Sequence, residues 1–251
     1  MSALTLPQSR APTRWIVLLA CVIAVLMVAI DAGILNLVVP AIQKEFHPSQ
    51  ATIGLMSSIS TLMLAAFILG GGTLGDLYGQ RQLLMIGTGG ILSATVLLMV
   101  APNPEALIGI RALDGIFQAL VNPLALAILM IAFDAEERPK ALGIYGATLG
   151  IMGGFSSLAI QFLNQTLGWR SVFLLVIGLG LLTLFLMLRF GSESRAGGQR
   201  KLDWLGILLC AAGLFSLVYG MSQASGAGGF LSAAVLTPAL FRPKLPFPKP
   251  G

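Results

Sequence analysis

Charge is scarce in this chain: Asp, Glu, Lys and Arg together make up 10% of its 251 residues, where a soluble domain carries about 25%. So few charges do not cover a water-exposed surface, which argues against a soluble enzyme. Histidine is scarcer still. The single His47 lies between apolar runs with no second ligand near it and no nucleophile-base pair in reach, so neither a metal, a cofactor nor a catalytic centre is expected. Two cysteines, Cys21 and Cys210, each sit inside an apolar run, where a thiol behaves as a small hydrophobe. That excludes a disulfide framework and a zinc site. The formal charge of +5 comes from basic residues spread over short segments between apolar runs, not gathered in one patch, which argues against nucleic acid as a partner.

Hydrophobic residues, by contrast, make up 56% of the chain. Crossing a hydrocarbon core of about 30 Å takes about 20 helical residues, so runs of that length are counted directly. Seven are found, over 15–40, 50–73, 83–101, 106–131, 140–163, 171–190 and 204–222. They break at Lys44 to Pro48, Gly75 to Gly79, Pro102 to Pro104, Asp134 to Pro139, Asn164 to Gly168 and Gly191 to Asp203. Backbone groups in lipid are satisfied only within the segment, so each run is expected to be a helix. The first, behind Arg10 and Arg14, is too long for a secretory signal and reads as a retained helix.

Positively charged loops stay cytoplasmic, and the asymmetry here is strong. Arg10, Arg14, Arg81, Arg138, Lys140, Arg189, Arg195, Arg200 and Lys201 fall on one side, against Lys44 and Arg170 in the short loops opposite. The N-terminus is therefore expected inside, in a multi-pass cell-membrane protein. The resulting division is a cytoplasmic N-terminus (1–14), a six-helix bundle (15–190), a cytoplasmic loop (191–203), a seventh helix (204–222) and a Pro- and Lys-rich tail (223–251). The tail reads either as a natural flexible end or as the end of a truncated or frameshifted product of a longer gene.

Ionisable residues at helix depth are costly in lipid and mark functional candidates. Asp31 lies in the first run, Arg111 and Asp114 in the fourth. At 100° per residue, Arg111, Asp114, Gln118 and Asn122 fall on one helix face. Functionally, such a stripe lines a water-accessible pathway for protons or substrate; structurally, an i,i+3 pair of Arg111 with Asp114 fixes the helix in the bundle. Asp31 reads equally as a proton site or as a hydrogen-bonding partner for a neighbouring helix. In the fifth run Gly143, Gly146, Gly150 and Gly154 form a small-residue stripe, suited to close helix packing or to sliding. The segment Gly72 to Arg81 places Asp76 and Arg81 around Gly72, Gly75 and Gly79, a more specific pattern than a simple turn needs. Asp76 suits a helix start and Arg81 suits carbonyls or a carboxylate nearby.

Taken in order, these segments resemble the major facilitator superfamily, and within it the fourteen-helix drug:proton antiporters. Gly72, Leu74, Asp76, Gly79 and Arg81 match the signature between helices two and three, G-x-L-x-D-x-x-G-[RK]-[RK]. Asp31, within Ile30 to Pro40, resembles the first-helix signature. Arg111-Ala112-Leu113-Asp114-Gly115 is similar to the fourth-helix motif whose arginine is linked to proton coupling. Gly168 to Phe173 and Leu202 to Gly206 resemble the entrances to helices six and seven. Departures are Leu77 and Gln80 in place of basic residues, Asp114 in place of glutamine, and Ser156-Ser157 where a Gly-Pro pair is usual.

The resemblance implies an all-α integral membrane fold, the N-terminal six-helix bundle of a major facilitator plus one further helix. It implies proton-coupled efflux of small amphipathic compounds. Asp31, Arg111, Asp114, Gln118 and Asn122 are then the proton or substrate pathway, Gly72, Asp76, Gly79 and Arg81 a cytoplasmic gating loop, and Gly146, Gly150 and Gly154 helix-packing positions. Partners are then small-molecule substrate, protons, the lipid bilayer and a missing C-terminal half, since such transporters pair two six-helix bundles around a midplane site. The competing reading is a membrane scaffold or partner-dependent fragment that does not transport by itself.

Overall fold

A computed structural model describes residues 11–191 and, beyond them, only 206, 209 and 213. The described residues form six long helices: α1 (Ala11–Phe46), α2 (Gln50–Tyr78), α3 (Gln80–Met99), α4 (Pro104–Ala132), α5 (Arg138–Leu167) and α6 (Phe173–Phe190). All six are long and apolar enough to cross a membrane. Each contains most of one of the first six apolar runs; α1, α2, α4 and α5 extend past theirs because polar and charged residues continue the helical ladder, whereas α3 stops two residues short of the end of its run and α6 starts two residues late, after the 3₁₀ turn. The seventh run (204–222) lies outside the described residues apart from the helical positions 206, 209 and 213, as do residues 1–10, most of the loop 191–203 and the tail 223–251.

Local chemistry sets the helix boundaries. Ser49 caps α2, its hydroxyl accepting from the Thr52 amide at 3.1 Å. At α4 Asn103 plays the same part, accepting from the Ala106 amide at 2.8 Å, with Pro104 in the first turn where its missing N–H is harmless. Between α2 and α3 a single residue suffices: Gly79 turns the chain at φ 110°, a conformation that side chains disfavour. Gly168, at φ 85°, does the same ahead of the 3₁₀ turn Trp169–Val172 that leads into α6.

In cross-section α2 packs on α4, α4 on α3, α3 on α6, α6 on α1 and α1 on α5, while α1 and α4 also meet across the middle. α1 is therefore the central helix, with 67% of its most apolar window buried, and α5 is the bare one, with 6%. The core clusters around Ala24, Met27, Ile34, Val38, Leu84, Ile91, Leu124 and Phe173. Buried threonines on α3 satisfy their hydroxyls within the helix: Thr88 donates to the Leu84 carbonyl at 2.9 Å and Thr95 to that of Ile91 at 2.7 Å.

Charged side chains tie the two ends of the bundle. At one end the Arg14 guanidinium of α1 meets Glu137 at 2.5 Å, and Arg138 donates to the carbonyls of Met130 (2.9 Å) and Phe133 (3.1 Å). At the other, Glu45 at the foot of α1 takes the indole N–H of Trp169 at 2.7 Å and the Arg170 guanidinium at 2.9 and 3.0 Å. Arg170 also stacks on the Trp169 ring at 4.3 Å and donates to the Met99 carbonyl at 3.0 Å, so α1, α3 and the start of α6 are pinned together.

Candidate functional site

Where α1, α2 and α4 converge, four polar side chains are shut inside the apolar interior. Asp31, Arg111, Asp114 and Gln118 are each at most 1% exposed. Asp31 sits roughly twenty residues into the 36-residue α1, about 30 Å from its start and well away from both helix ends. Arg111 and Asp114 are an i,i+3 pair on α4 and Gln118 lies one turn further, so the three stack on the face turned to α1.

All but one of the hydrogen bonds converge on two carboxylate oxygens. Arg111 donates through Nη1 to Asp31 Oδ2 at 2.6 Å and to Asp114 Oδ2 at 3.2 Å, and through Nη2 to the Asp31 carbonyl at 3.2 Å. The Gln118 amide donates to the same Oδ2 atoms, at 2.7 Å each. From α2 the Ser60 hydroxyl donates to Asp114 Oδ2 at 3.3 Å. The other carboxylate oxygens, Asp31 Oδ1 and Asp114 Oδ1, are buried without a partner, as is Arg111 Nε. A lone ionised group at this depth is prohibitively costly, and only mutual pairing makes the set tolerable.

Helix packing brings the set together. At Gly115 a Cβ would collide with the backbone carbonyl of Ser60 and come within 2.9 Å of Met63 Cβ. This bare spot on α4 lets α2 approach closely enough for Ser60 to reach Asp114. Further along the same seam a Cβ on Gly71 would strike the Ala119 carbonyl. Tight contacts of this kind recur on α3 and α6, where a Cβ on Gly90 would strike the Phe117 ring and one on Gly180 the Leu92 side chain, but not on the stripe expected on α5. Gly143, Gly146, Gly150 and Gly154 are exposed, with nothing within 4 Å of a Cβ placed on any of them. Among the described residues the α5 stripe faces no helix.

The expected stripe on α4 is also altered. Arg111, Asp114 and Gln118 stand together as expected, but they are sealed from solvent and do not line an open path. Asn122 is only half-buried and joins none of the bonds of the cluster. Asp31 comes from another helix to complete the set, and both the pathway pattern and the i,i+3 pair are subsumed in one three-charge cluster. Ser60 belongs to it too, and the polar Ser57-Ser58-Ile59-Ser60 stretch inside the second apolar run was the available signal.

The segment from Gly72 to Arg81 is barely a loop. Gly72 and Asp76 lie within the last turns of α2, where Asp76 accepts from the Gln80 amide at 3.4 Å; it does not begin a helix. Arg81, in the first turn of α3, donates to the carbonyls of Met187 (2.9 Å) and Leu188 (3.0 Å). Those carbonyls close α6, where backbone acceptors are left over and the helix dipole favours a cation. Away from these groups, a groove of about 500 Å³ between α3 and α6 is lined by Leu92, Ser93, Val96, Leu97, Ile177 and Leu181 and holds no charge.

A multi-pass helical membrane bundle with a charge cluster sealed in its interior is the architecture of a secondary-transporter domain. Residues 21–245 match the family model of the Major Facilitator Superfamily, and the chain belongs to that family. It is 32% identical to the tetracenomycin C resistance and export protein of Streptomyces glaucescens, over 90% of this chain and 44% of that protein. It is 33% identical to the multidrug efflux pump LfrA of Mycolicibacterium smegmatis, over 90% of this chain and 45% of that pump. To the puromycin resistance protein pur8 of Streptomyces alboniger it is 32% identical, over 88% and 44% of the two chains. The chain thus spans less than half the length of the curated relatives it matches. The fold is also that of a bacterial homolog of the human lysosomal transporter Spinster, in an inward-facing, unoccupied conformation. The TM-score is 0.63 at 21% identity, over 86% of this chain and 50% of that one.

Proposed function

We propose that this chain supplies one half of a proton-coupled exporter of small amphipathic compounds, of the fourteen-helix drug:proton antiporter type, in the cell membrane with its N-terminus in the cytoplasm. Its role is transport, not catalysis. The observation that carries the reading is the cluster Asp31–Arg111–Asp114–Gln118, three charged groups and an amide held at mid-depth where no structural need calls for so many. Protonation at Asp31 weakens its hold on Arg111, and the guanidinium then changes partners as the helices shift. The arrangement at Gly72, Asp76, Gly79 and Arg81 fits a cytoplasmic gate, with Arg81 gripping the end of α6. Relatives named for tetracenomycin C resistance and export, puromycin resistance and multidrug efflux support export of small molecules.

Alternating access in this fold needs two bundles. The bare glycine face of α5 favours a partner-dependent fragment as the state of this chain by itself. Spliced in place of the matching segment of a full-length relative, this chain is expected to restore proton-driven dye export to efflux-deficient bacteria. Asp31→Asn and Arg111→Ala are expected to abolish that export while the protein still inserts. Undiminished proton-dependent export by both variants would overturn the assignment. Proteoliposomes holding this chain alone are expected to export nothing.

A further inference from the structure

We infer that the groove between α3 and α6 is a phospholipid site, with one acyl chain laid along the groove and the headgroup phosphate held by Arg170 at its end. The inference lies outside the transport reading and rests only on the chain crossing a bilayer. Leu92, Ser93, Val96 and Leu97 of α3 and Ile177 and Leu181 of α6 line the groove, whose volume is about 500 Å³, within the range of about 300–1,000 Å³ usual for small-ligand sites. Leu92 is seated against Gly180, where a Cβ would come within 2.5 Å of its side chain, so α3 and α6 close on each other there. Val96, Leu97 and Leu181 remain 51%, 47% and 56% exposed. The one polar lining group is already satisfied, since the Ser93 hydroxyl donates to the Gly89 carbonyl at 2.9 Å. With no charge and no free polar side chain, the groove suits a flexible hydrocarbon chain and offers nothing to an ion or a polar solute.

Register places a phosphate donor at the end of this groove. Met99 lies two residues past Leu97 on α3, and Arg170 lies seven residues ahead of Ile177, about two helical turns or roughly 10 Å. Arg170 joins the two helices there, its Nε donating to the Met99 carbonyl at 3.0 Å. Nη1 is taken by Glu45 at 2.9 and 3.0 Å, whereas Nη2 has no hydrogen-bond partner among the described residues, and the side chain is 39% exposed. A guanidinium carries five N–H donors, so two are left over, in a geometry that phosphate oxygens accept well. Glu45 already balances the charge of Arg170, so the site selects a phosphate as acceptor and not a headgroup of net negative charge. The Trp169 ring, 4.3 Å from the guanidinium, is of the kind that settles at headgroup level. Head and chain of one lipid thus meet a donor and an apolar groove at matching heights.

The test is photolabelling of the full chain in nanodiscs of digalactosyl diacylglycerol, a lipid without phosphate, doped with phosphatidylglycerol that bears a diazirine in one acyl chain. Adducts mapped by mass spectrometry are expected to concentrate on residues 92–97 and 177–181, several-fold above the exposed face of α5 at Phe155, Leu158 and Phe162. A digalactosyl lipid with the same diazirine chain is expected to label the groove no more than α5. Arg170→Gln is expected to bring the phosphatidylglycerol adducts down to the α5 level, while Glu45→Gln, which breaks the same tie to α1 but keeps the guanidinium, retains them. Val96→Trp, which fills the groove, is expected to abolish them, and Leu158→Trp to leave them unchanged. Even labelling of all faces would mean annular lipid only, and equal labelling by both probes, or equal loss in Arg170→Gln and Glu45→Gln, would remove the phosphate contact; each overturns the inference. An unlabelled groove in the wild type overturns it too, as would follow if residues 204–222 or a second copy of the chain filled that space. Where a variant does not fold, as judged by its helical circular dichroism, the comparison of the two probes on the wild type decides.

Discussion

Removing the guanidinium and removing one carboxylate are unequal injuries to the buried cluster. Arg111→Ala strands two acids beside an amide and a hydroxyl, and breaking a buried pair in this way costs about 3–5 kcal/mol. Asp31→Asn keeps the side-chain shape and leaves Arg111 its contact with Asp114 at 3.2 Å. Thermal unfolding in detergent, followed by circular dichroism, is expected to place the Arg111→Ala midpoint clearly below that of Asp31→Asn; the opposite order would mean that Asp31 is the main counter-ion and Asp114 a bystander. Much of this site was legible beforehand, because a helical wheel puts Arg111, Asp114 and Gln118 at one angle. A wheel says nothing of height, however. Asn122 shares the angle but lies four residues, about 6 Å, beyond Gln118, past the level at which α1 presents Asp31. The identity of the partner was equally out of reach, because the distance from α1 to α4 is set by packing between segments eighty residues apart.

Helices approach closely where a side chain is missing on one of them, and on the seam of α2 with α4 the glycines Gly71 and Gly115 meet backbone directly. Gly115→Val is expected to force the helices apart against the Ser60 backbone, which cannot rotate out of the way, and to lower the unfolding midpoint sharply. Gly150→Ala, on the open face of α5, is expected to leave the midpoint unchanged or raise it, because an exposed helical glycine is about 0.5–1 kcal/mol less favourable than alanine. Side-by-side melting curves of the two variants check both statements. Glycine spacing in the sequence marks surfaces that permit contact, and α5 has the more regular spacing. Contact itself depends on what stands opposite, which is why irregularly spaced glycines such as Gly71, Gly90 and Gly115 are packed and the α5 stripe is not. The helices themselves were legible almost throughout, because lipid-length apolar runs admit one backbone solution.

Across the whole molecule, the two ends are fastened differently. The Glu45–Trp169–Arg170 contact is partly exposed, with both charged side chains at 39%, and an exposed ion pair contributes about 0–1 kcal/mol. Arg170→Ala is therefore expected to shift global unfolding little, while hydrogen exchange at residues 168–172 and at the foot of α1 speeds up several-fold. Exchange that stays at the wild-type rate there would show that Trp169, which is itself nearly buried, holds the end unaided. Sequence had flagged Trp169-Arg170 as part of a motif but not Glu45, which looked like one more polar residue ending an apolar run. At the opposite end the joint between α2 and α3 is one residue long, at Gly79, and Arg81 immediately after it is anchored to the last carbonyls of α6. With one residue for a joint there is no slack between α2 and α3, so a tilt of α2 is expected to be passed through α3 and Arg81 to the tip of α6.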